Sequence, residues 1–419
     1  MTDASQPRMA RGTKLSAGIL ATALFALLAL APFASAATDP VASGSTAVTL
    51  NSGFVKSLKK AGVKVLKISP AKLKGSKATF SVTGGEMDPL TGAGSLTLAG
   101  GLKFKAGKKS ATVKGLVLST AKKSLTAKVG GKKMKLASVA GYTFPRNGFG
   151  MKLSIKKLKL TGSAAKQLNK KLGVKSFKGN KLMGAAKGEE QPSTVTILPG
   201  GNVNFTADLG LLKKLNEVEV KVQNIGGTTG TAPLFAFPIS GGSIAPTATA
   251  GVVQTSGGLL QVQKLPTSAT TSLLTEITLG NFYVDLSAKT ISVEVVAKSN
   301  ASPALNLGAL GRSSIADLSL TGATVATDPA TRTVSVTGAS ATVQPVAAEV
   351  LEGFVKVFQA YQEGGFKAAA CPPAGVCASQ PEQEFVNGKA KEFGEAKVAN
   401  AHIKAGQALG TFSFTAQTQ

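Results

Sequence analysis

Residues able to carry chemistry are scarce in this chain. There is one histidine, His402, with three tyrosines, Tyr142, Tyr283 and Tyr361, and two cysteines, Cys371 and Cys377. Nucleophilic and acid–base catalysis need a base held against its partner, and one histidine near the C-terminus offers no pairing that both halves of the chain can repeat. Ser-x-x-Lys occurs at Ser57/Lys60, Ser69/Lys72, Ser119/Lys122, Ser154/Lys157 and Ser163/Lys166. Its companion motifs S-D-N and K-T-G are absent, so the recurrence follows from abundant lysine. In "GLKFKAGKK" (101–109) five residues separate Gly101 from Gly107, and Lys109 stands where a phosphate loop has Ser or Thr for Mg²⁺. Asp285, Glu294 and Asp317 fall on or near expected strands, where lone carboxylates are solvated rather than paired for glycoside chemistry. No metal set is assigned. The expectation is a protein that is not an enzyme.

Cys371 and Cys377 sit in "CPPAGVC", a Pro- and Gly-bent loop that can bring two sulfurs together, and a small structural disulfide is expected in an oxidising compartment. The compartment is read from the N-terminus. Arg8, Arg11 and Lys14 precede the apolar run "LSAGILATALFALLALAPF" (15–33), which ends in "ASA" (34–36). This is the pattern of a secretory signal peptide over residues 1–36, with a retained membrane anchor as the alternative. No later stretch approaches the ~18 consecutive apolar residues of a span. The mature chain is therefore expected outside the cytoplasm, in or near the cell envelope.

Charge is the most abundant chemical resource, and it is unevenly spread. The stretch 37–190 carries 31 basic and 5 acidic residues, whereas 191–419 carries 14 and 15, within a formal charge of +27 for the chain. In "GLKFKAG" Leu102 and Phe104 alternate with Lys103 and Lys105, and "SLTAKV" and "KKMKLAS" repeat the pattern with Lys128, Lys133 and Lys135. Period-two alternation puts the apolar side chains in a core and the lysines on the solvent face of a sheet. With Lys108 in the adjoining turn, these are the candidate anion-binding residues. Nucleic acid is excluded as a partner, because the basic residues are overwhelmingly Lys and no aromatics interleave with them to stack bases.

The elements that must position these residues occur twice. "TGGEMDPLTGAGSLTLAGGLKF" (83–104) matches "SGGSIAPTATAGVVQTSGGLLQ" (240–261) without a gap, 157 positions apart, in its glycines and its proline. Shared turn residues imply a shared order of turns. The match continues from 113–129 to 279–295 and from 158–169 to 341–352, and each copy opens on a helical pattern, at 52–63 and 207–218. Phe54, Leu58 and Ala61 form one stripe; Ala165, Leu168 and Leu172 form another, with Thr161 as N-cap, and Pro345 starts a longer helix over 345–363. The expected fold is mainly β: two sandwich-like antiparallel β domains with a few short packed helices. The expected division is a signal peptide (1–36), a linker (37–47), a Lys-rich domain (48–188) and a near-neutral domain (194–419), with the junction at "KGEEQPS" (187–193).

The order "GGEMDPLTGAGSLTLAGGLKFKAGKKSATVKGLVL" (84–118) resembles the HtaA-type domain of actinobacterial envelope proteins, and Gly241–Val295 resembles it again. The resemblance implies an exported β-sandwich that captures hemin and passes it to an uptake system, with heme as cofactor. It also implies a tyrosine iron ligand in the opening helix, backed by a histidine. Here the tyrosine position falls on Ala61 and Leu215, and the histidine position near Lys108 and, in the second copy, on no histidine. That leaves His402, Tyr142, Tyr283 and Tyr361 as heme-ligand candidates. The alternative is a structural or adhesive envelope protein that binds anionic wall polymer through its Lys-rich domain.

Overall fold

A computed structural model describes residues 38–267, 270–301, 305–362 and 400–419. The expected signal peptide and both cysteines lie outside these residues.

The first domain runs β1 (Asp39–Leu50), α1 (Ser52–Lys60), β2 (Val63–Ile68), β3 (Lys72–Lys74), β4 (Lys77–Met87), β5 (Gly94–Ala106), β6 (Lys109–Ser119), β7 (Ser124–Val129), β8 (Lys132–Thr143), β9 (Arg146–Asn147), β10 (Gly150–Leu160), α2 (Gly162–Leu172) and β11 (Leu182–Pro192). Antiparallel pairing proceeds β4-β5-β6-β7-β8-β10-β11-β1 and returns to β4, so the sheet closes on itself. The second half of β5 carries β2 on its free side.

The second domain repeats the plan with β12 (Val195–Thr196), β13 (Asn202–Ala207), α3 (Leu209–Glu217), β14 (Val220–Ile225), β15 (Thr229–Thr231), β16 (Leu234–Ile244), β17 (Gly251–Thr255), β18 (Gly258–Pro266), β19 (Ser272–Asp285), β20 (Thr290–Ser299), β21 (Gly308–Ser319), β22 (Thr324–Asp328), β23 (Thr333–Val343), α4 (Pro345–Gln362) and β24 (Ala408–Gln417). Its ring is β16-β17-β19-β20-β21-β23-β24-β13, closed by β13 on β16. α3, β14, β15 and β16 begin and end 157 positions after α1, β2, β3 and β4. Register is shared too: Val117 faces Thr126 as Tyr283 faces Ser292, 166 positions on.

The chain is mainly β, as expected, in two sandwich-like domains with a few short helices; closure of each sheet into a ring adds to that expectation, and the glycines show how it is reached. At Gly85 and Gly242 φ is +140° and +126°, and a Cβ would lie 2.1 Å from the carbonyl oxygens of Ser95 and Val252 on the neighbouring strand. Only glycine lets β4 and β16 bend far enough to pair with the strand that follows. Gly100 and Gly257, at φ +83° and +80°, mark the point where the next strand leaves the ring.

Inside each ring lies an apolar cluster. The first includes Phe80, Leu98, Phe104, Ile155 and Leu158, and α2 seals it with Ala164, Ala165, Leu168 and Leu172. Thr161 caps α2, its hydroxyl oxygen accepting from the Ala164 amide, and Asn51 and Asp208 cap α1 and α3 likewise. Each such cap stabilises its helix by about 1 kcal/mol. The helix stripe read over 52–63 ends sooner, at Lys60, and Ala61 serves as the C-cap. Residues 39–47, expected as linker, belong to β1, and 187–192 of the expected junction belong to β11.

The disulfide expectation is withdrawn. The structure has no disulfide bond among its described residues, Cys371 and Cys377 lie outside them, and β24 joins the second ring by pairing with β23. Among the described residues no helix is long and apolar enough to cross a membrane.

Closure predicts a contrast between glycines. Gly85→Ala and Gly242→Ala should each lower unfolding free energy by about 2–4 kcal/mol. Gly107→Ala, in open space at φ +55°, should lose about 1 kcal/mol. Urea denaturation of the three variants measures this.

Candidate functional site

The lysine face of the first domain is built by cross-strand register. β2, β5, β6, β7 and β8 are consecutive neighbours, and their inward positions are Val63, Leu102, Phe104, Val113, Ala127, Val129 and Leu136. The alternating positions between them face outward. Lys64 lies opposite Lys105, Lys103 opposite Thr112, Lys114 opposite Lys128, Lys128 opposite Lys133, and Thr126 opposite Lys135. Lys114, Lys128 and Lys133 thus form one row across three strands, spaced about 5 Å per strand. Lys108 is exposed in the β5–β6 turn.

Directly opposed like charges destabilise a sheet, by up to about 1 kcal/mol per pair in water. No salt bridge among the described residues reaches this row; the surface lysine pair that occurs, Lys152 with Glu189, lies on β10 and β11. The arrangement presents three exposed ammonium groups in a line.

The three tyrosines and the histidine are not assembled into one site. Tyr142 packs against the first core. Tyr283 lies under Arg312, whose guanidinium carbon is 3.6 Å from the ring centroid, a cation–π contact. Tyr361 is buried and its hydroxyl donates to the Pro266 carbonyl at 2.7 Å. His402 Nδ1 lies 2.5 Å from Glu352 Oε1, while Lys214 Nζ donates to the His402 carbonyl and to Gln407 Oε1. The histidine region therefore pins the chain entering β24 onto α3 and α4. Glu352 and Tyr361 are nine residues apart on α4, about 13.5 Å of helix rise. At the position of the expected tyrosines, Ala61 caps α1 and Leu215 is buried in the second core. Among the described residues no group of three or more His, Cys, Asp or Glu side chains is placed to hold a metal ion.

Sequence patterning missed Lys64 and Lys114, because the strand partners that align them with Lys105 and Lys128 are remote in the chain. It missed a second polar group altogether. Asp39 on β1 is buried and takes the Arg146 guanidinium at 2.5 Å; Arg146 also donates to the Phe149 carbonyl at 2.8 Å. Phe149 packs with the second core, so this ion pair holds the turn by which the first domain engages the second. Burial pushes the Asp39 carboxyl up, opposed by Arg146. One strand away, Glu190 is fully buried, accepts from the Thr46 hydroxyl at 3.1 Å, and fills space that a Cβ on Gly44 or Gly188 would occupy. Burial raises its pKa to about 7, with Thr46 opposing and Glu189 adding to the rise.

No family model matches the chain, and no curated protein sequence matches it. Among solved structures it shows a weak, partial resemblance to the crystal structure of the C-terminal domain of HtaA from Corynebacterium glutamicum. Identity is 12%, the TM-score is 0.29, and the alignment covers 37% of this chain and 98% of that one.

Glu190 generates a pH prediction. A carboxyl with a folded-state pKa of about 7 against an ordinary 4.5 binds its proton more tightly in the fold than in the unfolded chain. Stability should therefore fall as pH rises from 4.5 to 7 and stay reduced above it, by on the order of 3 kcal/mol. Glu190→Gln should flatten that slope and be the more stable protein at pH 8, read from thermal unfolding across pH.

Proposed function

We propose that this protein is a non-catalytic binding protein that works outside the cytoplasm, and that its first domain holds an anionic polymer of the cell envelope on the lysine face. The observation that carries the reading is the row Lys114, Lys128 and Lys133, three ammonium groups directly opposed on adjacent strands. A polyanion with charges repeated along its chain removes the mutual repulsion and releases counterions as it binds. Lys64, Lys103, Lys105, Lys108 and Lys135 extend the same face. The export pattern at residues 1–36 supplies the compartment, and the near-neutral second domain leaves the polymer to the first.

Hemin capture is the reading implied by the resemblance. It draws on lysine contacts to propionates and on Tyr142, Tyr283, Tyr361 or His402 for iron. These four do not fit a shared iron: one lies in the first domain, two are engaged with Pro266 and Glu352, and the last stacks under Arg312.

Two measurements separate the readings. Sodium polyphosphate, titrated calorimetrically into the mature chain, should bind at low salt and weaken steeply as salt is raised. The triple variant Lys114→Gln, Lys128→Gln, Lys133→Gln should bind at least about tenfold more weakly. A triple of equal charge on α1, Lys56→Gln, Lys59→Gln, Lys60→Gln, should bind nearly as wild type; equal losses in both triples would reduce the effect to net charge and sink the site. Hemin titration should give no saturable Soret band; a sharp band lost on substituting one of the four candidates would reinstate hemin capture.

A further inference from the structure

Among the inward positions at which the two domains differ, one exchanges an aromatic ring for an amide. Phe104 on β5 stands between Val65 and Ala111 of the neighbouring strands, and its ring packs edge-on against Phe177, which also meets Phe54. The residue 157 positions on is Gln261, on β18 between Val222 and Ile277, the counterparts of the same two neighbours. Gln261 is 7% exposed, and its amide oxygen is buried without a hydrogen-bond partner. A buried amide left unpaired is costly where an aromatic ring would have been favourable.

The same residue lines an apolar crevice. Leu211 of α3, Ile277 of β19 and Val295 of β20 form its floor with Gln261. Leu310, 42% exposed, and Val346, 60% exposed, stand at its mouth. Its volume is about 70 Å³, against about 30 Å³ for the wholly apolar counterpart around Phe104. An apolar cavity of ~150 Å³ admits a benzene ring, so this one suits an unbranched chain that projects through the mouth.

We infer that the second domain is a binding site for a small amphiphile: a short unbranched alkyl chain carrying a hydroxyl that donates to the Gln261 amide oxygen. The chain lies along Ile277 and Val295, and the Gln261 amide supplies a directional contact, with Ser313 the other polar residue of the lining. Such a site is independent of the polyanion face, which belongs to the other domain.

The test uses the mature chain with methyl-labelled Ile, Leu and Val, titrated with 1-butanol, 1-pentanol and 1-hexanol and followed by NMR. Saturable shifts are expected at Ile277, Val295 and Val346, with affinity rising about fourfold per methylene. Gln261→Leu should weaken the alcohols about tenfold while leaving 1-chlorobutane unchanged, as loss of one hydrogen bond requires. Gln261→Phe, which restores the residue of the first domain, should abolish binding and raise the melting temperature. Val346→Trp blocks the mouth from the surface and keeps the test valid if the core variant misfolds. Shifts that do not saturate, or that persist in both Gln261→Phe and Val346→Trp, would overturn the assignment.

Discussion

Closing a β-sheet on itself obliges one strand to bend until its edge meets the edge it started from. Here the bend falls at paired glycines, Gly84–Gly85 in β4 and Gly241–Gly242 in β16, all four at strongly positive φ. The close approach of the next strand leaves no room for a Cβ at the second glycine of each pair. The rest of the molecule follows from this constraint. A closed ring has no ladder edge to protect within it, an interior to be filled by alternate side chains, and an outer face free to take any polar residue. The helices α2 and α4 pack onto the same sheets, each starting directly after the strand that precedes it.

A residue of the first domain, Phe149, packs with the second core, and the turn that carries it is held by a buried ion pair. Asp39, at the first residue of β1, is matched by Arg146 from the β9 turn, and Phe149 three residues on is counted among the second core. A buried ion pair is weak evidence of stability but strong evidence of geometry, since removing either partner leaves a charge stranded. It fixes the direction in which the turn projects. Glu190, without a cation, takes the other solution open to a buried carboxyl and holds its proton near neutrality.

One plan used twice presents two different surfaces. Outward Lys103 and Lys105 have Leu260 and Val262 as counterparts, and Lys128 has Glu294, whose carboxylate accepts from Asn281. Inward, Phe104 has become Gln261 and Ala106 has become Gln263. Gln263 is paired, its amide donating to the Val218 and Phe354 carbonyls, and so ties α3 and α4 to the sheet. Its amide oxygen and that of Gln261 are both buried without a partner. Outer positions differ in charge, inner positions in polarity, and the glycines recur because the backbone path requires them.

Much of the fold was legible from local pattern. The repeated glycine order marked the turns, alternation marked which lysines point outward, Thr161 and Pro345 marked helix starts, and the charge split marked two dissimilar domains. These are properties of φ preference and period, which a short segment carries by itself. What required the tertiary structure was everything set by register between distant strands. Closure of each sheet depends on β1 meeting β4 and β13 meeting β16. The row Lys114, Lys128, Lys133 exists because three strands align at those residues and not one position away. Glu190 sits in what reads as a polar junction, yet alternation within β11 turns it inward between two glycines. Gln261 looks like any strand glutamine until its neighbours are known. A side chain's type is written in the chain, but its dielectric surroundings and its partners come from residues a hundred positions away, and those decide the chemistry.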